Sequence, residues 1–309
     1  MKSAQSLGAA QAARLISLPE KISAPNPLKE ALLEPIRERN AFLDYIFYDL
    51  GTLHRDEVAQ LAPGYAREGA ILLVQPSGRG GLRLWQDFDA FQAEAHRGMA
   101  DCIAVAGVGS SALGTAAFAR NVADAIDGPV LGVVSGYGLA DLFSESLGGF
   151  FWFGWVNAVR HAFEPLDAAT RMMPSSLEVP NGQISMAIRR SLDVKTLLSL
   201  LGMIDVSLLV GHSKGNLVIS EALFALLQHD PARAGALAQN GRIVTFSAKI
   251  AMPKPWTQVV DVMGELDGFG LMNSRPMIGT DRRVKSAWHH TNTELLFHLP
   301  VTQVLRGLL

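Results

Sequence analysis

Gly211-His212-Ser213-Lys214-Gly215 is the strongest chemical signal in the sequence. A serine in a G-x-S-x-G pattern can act as a nucleophile when it sits on a tight turn between a strand and a helix. The neighbouring residues supply that setting. Val206 to Val210 is an apolar run that reads as a strand, and Asn216 to Gln228 reads as a helix. The glycines remove Cβ atoms where the two elements approach each other. The helix N-terminus directs backbone N–H groups towards negative charge that develops at the serine. An ordinary glycine-rich turn is the alternative; agreement between motif and context favours the nucleophile.

Such a turn needs a sheet to carry it. Short apolar runs at Ala70–Val74, Cys102–Gly109, Pro129–Gly138, Asp205–Gly211, Gly241–Ile250 and Thr257–Glu265 read as strands, and Arg282–Ala287 as a weaker one. Helical patterns separate them, notably Ala112–Ile126 and Ile184–Gly202. Apolar strands alternating with helices predict an α/β fold, with a mostly parallel sheet covered on both faces. The segment from Leu139 to Asn181 breaks the alternation and is expected to be a lid-like insertion. Residues 1–65 read as a mainly helical N-terminal segment punctuated by Pro25, Pro27 and Pro35, with the α/β domain spanning 66–309. Thr291 and Glu294 have capping-box spacing, which predicts a helix from Thr291 onwards.

Composition narrows the function classes. Of 309 residues, 49% are hydrophobic and 18% charged, which excludes a disordered chain and supports a large core. Lys plus Arg number 27 against 29 Asp plus Glu, so no basic excess exists to neutralise nucleic-acid phosphates. The single cysteine, Cys102, excludes an internal disulfide framework and fits a reducing compartment. Mean hydropathy is +0.19, yet the most apolar stretch, Leu147 to Val159, is too short to cross ~30 Å of hydrocarbon. The N-terminus is a poor secretory signal. The expected location is cytoplasmic, with contact to a lipid or polymer surface left open.

The elbow GHSKGN, then VTFSAKI, then an acid after a strand, then a late histidine resembles the α/β-hydrolase superfamily from about Ala70 onwards, and most closely the lipase class 3 arrangement. Lys214 stands where that class usually has Leu, and Ser247 where it usually has Gly. The resemblance implies a triad in the order Ser, Asp or Glu, His. Histidine is needed because an unassisted hydroxyl is a weak nucleophile. His229 ends the helix after the elbow, and His298 lies near Pro300. The pair His289-His290 falls where the superfamily carries its histidine, with His290 favoured and His289 the alternate. For the acid, Asp267 in GELDGFG is favoured over Glu265, Asp261 and Asp281. The resemblance also implies an oxyanion hole from the backbone N–H groups of Lys214 and, in the turn AGVGSS, Val108. The Lys214 side chain is expected to be solvated.

Other readings of these residues are weaker. Gly107-x-Gly109-x-x-Ala112 also fits a dinucleotide fingerprint, but no acid ends the following strand. A metal site at the histidine pair lacks a neighbouring carboxylate or cysteine cluster. The aromatic run Phe150, Phe151, Trp152, Phe153 and Trp155 reads either as a core plug, as an oligomer contact, or as a substrate-binding lid over Ser213. The expectation is a serine esterase or lipase acting on an apolar acyl ester, with no cofactor and no nucleic-acid partner. Acyl transfer or thioester cleavage by the same triad, and a non-catalytic surface-binding protein, are the alternatives.

Overall fold

The computed structural model describes residues 44–61, 68–96, 98–107, 110–135, 192–272, 274–275 and 278–309. These belong to one compact unit. The expected lid at 139–181 and most of the expected N-terminal segment lie outside the described residues.

Among the described residues eight strands form one sheet: β1 (Ile71–Val74), β2 (Leu82–Trp85), β3 (Cys102–Val105), β4 (Val130–Val133), β5 (Leu208–His212), β6 (Arg242–Phe246), β7 (Val259–Gly264) and β8 (Arg282–Val284). Their spatial order is β2-β1-β4-β3-β5-β6-β7-β8. β1 runs antiparallel to both β2 and β4, and every other pairing is parallel. This mixed α/β sheet is compatible with the α/β-hydrolase fold.

The central strands β3, β4 and β5 are buried along their whole length. Their side chains alternate between two apolar layers. Leu72, Ala104, Val210 and Val244 pack towards α3 (Ala112–Ile126) and α8 (Val301–Arg306). Ile71, Ile103, Leu131, Leu209 and Ile243 pack towards α4 (Leu192–Met203), α5 (Lys214–His229) and α6 (Pro231–Asn240). Continuous apolar strands are thus covered on both faces, as the sequence pattern requires. The remaining α-helices among the described residues are short: α1 (Arg55–Leu61), α2 (Phe88–Glu94) and α7 (Gly268–Met272).

Two expectations change. Residues 44–61 do not form part of a separate segment; they pack into the α/β core, with Tyr48, Leu53 and Leu61 in its apolar layer. The helix expected from Thr291 starts only at Val301. The Thr291 N–H and hydroxyl both go to the Phe47 carbonyl (2.7 and 3.1 Å), and Asn292 Nδ2 donates to the Tyr45 carbonyl (2.7 Å). Long-range bonds therefore take the groups that a helix cap would have used.

Residues 44–49 also hold the start of α3. Ser111 caps that helix through its own hydroxyl, which accepts from Leu113 N–H (3.0 Å). Asp44 Oδ2 accepts from Ser111 N–H (2.8 Å) and Gly114 N–H (3.2 Å). Burial raises the Asp44 carboxyl from its ordinary 3.8 to about 7, outweighing these bonds. The folded-state value exceeds the unfolded one. The stability this group contributes is therefore complete below about pH 4 and is lost as pH rises through about 7. Asp44→Asn keeps an acceptor oxygen for both N–H groups and removes the titration. In urea unfolding across pH 4–8, the wild type should lose stability relative to this variant as pH rises. Parallel pH dependences would show that Asp44 is ionised in the folded state.

Candidate active site

The parallel strands deliver the site to one edge of the sheet. β3 leads into the Gly107 turn, β5 into Ser213, β7 into Asp267, and β8 into His289. In open α/β sheets the carboxyl ends of the strands are where ligands bind.

Ser213 sits between β5 and α5 with φ 53° and ψ −119°. A non-glycine residue held in this region costs on the order of 1–3 kcal/mol. The surrounding structure imposes it. Ser213 N–H donates to the Phe246 carbonyl (2.9 Å), and Asn216 N–H donates back to the Ser213 carbonyl (3.1 Å). Asn216 Nδ2 bridges the carbonyls of Phe246 (3.0 Å) and Ala248 (2.8 Å). The flanking glycines are required by space. A Cβ on Gly215 would run into the Val105 carbonyl of β3, and one on Gly211 into the Asn216 side chain.

His289 completes a hydrogen-bonded chain. Its Nε2 lies 3.1 Å from Ser213 Oγ, and its Nδ1 lies 2.9 and 3.1 Å from the two Asp267 carboxylate oxygens. A carboxylate can only accept, so Nδ1 carries the proton and Nε2 offers its lone pair to the serine. Asp267 is fully buried. Burial alone would raise its carboxyl, but the His289 hydrogen bond and charge, together with the Gly270 N–H (2.6 Å), hold it below 3.8. Gly270 must lack a side chain: a Cβ there would stand 2.5 Å from the Ser247 carbonyl and 2.6 Å from Asp267 Oδ2. The His289 ring is wedged edge-on between Phe47 and Phe269, with centroids at 5.9 and 6.1 Å.

The structure therefore places His289, not the favoured His290, between Ser213 and Asp267. Trp288 N–H donates to the Phe297 carbonyl (2.7 Å), and Leu299 N–H to the His290 carbonyl (2.8 Å), tying this stretch to residues 297–299. The two imidazoles consequently leave in different directions, and His290 Nε2 donates to the Leu296 carbonyl (3.0 Å). Among the other acids, Glu265 accepts from Ser286 N–H (3.1 Å) in a turn. Asp261 is buried in β7, where it accepts from the Thr245 hydroxyl; burial raises it to about 6. Asp281 accepts from Asp261 N–H (2.8 Å). His229 is exposed, and His298 donates from Nδ1 to the Leu295 carbonyl (3.2 Å).

Of the expected oxyanion donors, Lys214 opens α5 directly after Ser213. Its side chain is not solvated: it is 9% exposed, with Nζ 3.9 Å from Asp193 Oδ2. Val108 lies outside the described residues, as do Phe150, Phe151, Trp152 and Trp155. The turn that leads to Val108 is close to the nucleophile. A Cβ on Gly107 would approach Ser213 Cβ to 3.2 Å.

Two residues without an expected role join the site. His212 is buried beside Ser213, and Tyr48 bonds to both His212 Nδ1 (3.0 Å) and Gly107 N–H (2.6 Å). His212 occupies the variable position of the elbow motif, and Tyr48 lies in a segment without a motif. The Asp44–Tyr48 spacing puts both on one face of a helix turn but does not point to the site.

The strain at Ser213 has a measurable consequence. Glycine tolerates this backbone, whereas alanine carries the same penalty as serine. Ser213→Gly should be more stable than Ser213→Ala by about 1 kcal/mol in chemical denaturation, against the usual order for the two residues. Equal stabilities would show that the elbow is unstrained.

Comparison of the chain with protein-family models, curated proteins and solved structures finds no match in any of the three.

Proposed function

We propose that this protein is a serine hydrolase that cleaves carboxylic esters with an apolar acyl part, on an α/β-hydrolase-type sheet. One observation carries the reading: the unbroken chain from Ser213 Oγ through His289 to buried Asp267, built on a strained strand-to-helix turn. As Ser213 Oγ attacks the ester carbonyl, His289 Nε2 takes its proton. Asp267 stays ionised and stabilises the imidazolium. The tetrahedral oxyanion forms beside the start of α5, where the Lys214 N–H can stabilise it. Collapse breaks the bond to the alcohol, which receives the proton from Nε2. Water, activated by the same nitrogen, then releases the acid and regenerates Ser213.

Exposed apolar side chains close to the triad in sequence support the acyl preference. Leu266, Phe269 and Leu271 flank Asp267, while Leu295, Leu296 and Phe297 follow His289; all six are exposed. Phe269 also touches the His289 ring. An acyl chain laid on such side chains gains about 0.8 kcal/mol per buried CH₂, so turnover should rise with chain length.

The test is a chain-length series of nitrophenyl esters combined with labelling by a fluorophosphonate. Wild type should label at Ser213, and Ser213→Ala should neither label nor turn over. His289→Ala should lose nearly as much, because members of such a unit are not additive. Asp267→Asn should fall by roughly 10⁴-fold, since it favours the wrong imidazole tautomer. His290→Ala should keep most of the turnover. Labelling that persists in Ser213→Ala, or a His290→Ala variant as inactive as His289→Ala, would overturn this assignment.

A further inference from the structure

We infer that Tyr48 and His212 are positioning residues, which lock the Gly107 turn and the His289 main chain in register with Ser213 through a single one-way chain of hydrogen bonds. The inference rests on the hydrolase reading for its kinetic consequence but not for its geometry.

The direction of each bond follows from chemistry. His212 Nε2 lies 2.9 Å from the carbonyl oxygen of His289. A carbonyl only accepts, so Nε2 carries the proton and Nδ1 does not. Tyr48 Oη, 3.0 Å from that Nδ1, must then donate to it. The lone pairs of the same hydroxyl accept the Gly107 N–H at 2.6 Å. The chain therefore runs from Gly107 N–H to the Tyr48 hydroxyl, through the His212 ring, to the backbone of His289. One end is the turn that touches Ser213; the other is the residue whose side chain touches Ser213 Oγ.

Nothing in this chain can reverse without loss. A protonated His212 would present Nδ1–H to a hydroxyl that already receives the Gly107 N–H, leaving the tyrosine proton without its acceptor. The surroundings also favour neutrality. Among the described residues, Tyr48, His289, Asp267 and His290 are the titratable groups facing the ring; burial first, then the His289 charge, push His212 down to about 3, against the opposing pull of Asp267. Burial likewise raises the Tyr48 phenol, so it keeps its proton. Tyr48 and His212 are in edge contact, with centroids 5.5 Å apart, and both pack on Phe118 of α3. The pair is thereby held by the core as well as by its bonds.

Tyr48→Phe retains the ring and its packing but removes both bonds of the hydroxyl. We expect kcat for a short-chain nitrophenyl ester to fall about 10- to 100-fold with KM changed less than about threefold, as for misplacement of reacting groups. The titration of His212 should move up, because the ring loses the donor that favours its neutral form. His212→Gln, which can still donate to the His289 carbonyl, should retain more activity than His212→Leu. Imidazole ¹⁵N–¹H correlation spectra of the histidine-labelled full chain give a readout that needs no turnover. Wild-type His212 should appear as the Nε2–H tautomer and stay neutral down to about pH 5, and Tyr48→Phe should raise its titration by about one pH unit or more. A wild-type enzyme that neither labels nor turns over would sink the hydrolase reading, while the spectra would still decide the inference. An Nδ1–H tautomer at His212, or a Tyr48→Phe variant with wild-type kcat and titration, would overturn it. Loss of kcat accompanied only by a lowered melting temperature, with the His212 titration unmoved, would reduce the pair to packing.

Discussion

The close approach of α5 to β3 is the constraint on which the site depends. Gly215 lies so near the Val105 carbonyl that no side chain fits between them, and this proximity forces the chain to turn sharply at Ser213. A gentler turn would leave the hydroxyl within the helix, away from His289. The sheet registers set the rest. Val105 pairs with Gly211, His212 with Phe246, and Phe246 with Val262, so the ends of neighbouring strands lie level. Backbone geometry at one residue and strand register across four strands thus determine which side chains can meet.

Burial then sorts the ionisable groups by what surrounds them. Asp267 and Asp44 are both buried carboxyls, yet they shift in opposite directions. Asp267 has an imidazole that can carry positive charge within hydrogen-bond distance, and remains an anion. Among the described residues, Asp44 is met by neutral N–H donors and hydroxyls, and desolvation prevails. His212 follows the same rule as Asp44: it faces a hydroxyl and a carbonyl, and burial outweighs the pull of the carbonyl and keeps the ring neutral.

Local features of the site were legible in the sequence, and tertiary ones were not. The elbow needed only a strand, two glycines and a helix, all contiguous around Ser213, and Ala112–Ile126 was bounded correctly by its alanine-rich helical pattern. Asp267 was accessible because glycines and a strand end surround it. The choice between His289 and His290 was not accessible. It depends on hydrogen bonds from Trp288 and Leu299 to partners several residues away, and adjacent histidines share the same sequence context. β2 and α6 carry no clear sequence pattern, because Leu82–Trp85 is interrupted by Arg83 and Pro231–Asn240 is only weakly apolar. Tyr48 was unreadable for the strongest reason: its partners lie 59 and 164 residues away.

That separation also governs the order in which the molecule can be assembled. Phe47 receives Thr291, Asp49 receives Thr293 and Tyr45 receives Asn292, contacts that bridge 244 to 247 positions of the chain. During synthesis the early segment leaves the ribosome long before its partners exist. The central strands can pair and bury their apolar faces in the meantime, but the constellation around Ser213 has to wait for residues 289–293. Long-range closures of this kind form slowly and contribute little until most of the sheet is in place. A nascent or partly unfolded chain can hold the elbow, but it lacks the assembled hydrogen-bond network, so chemical competence becomes a late checkpoint of folding.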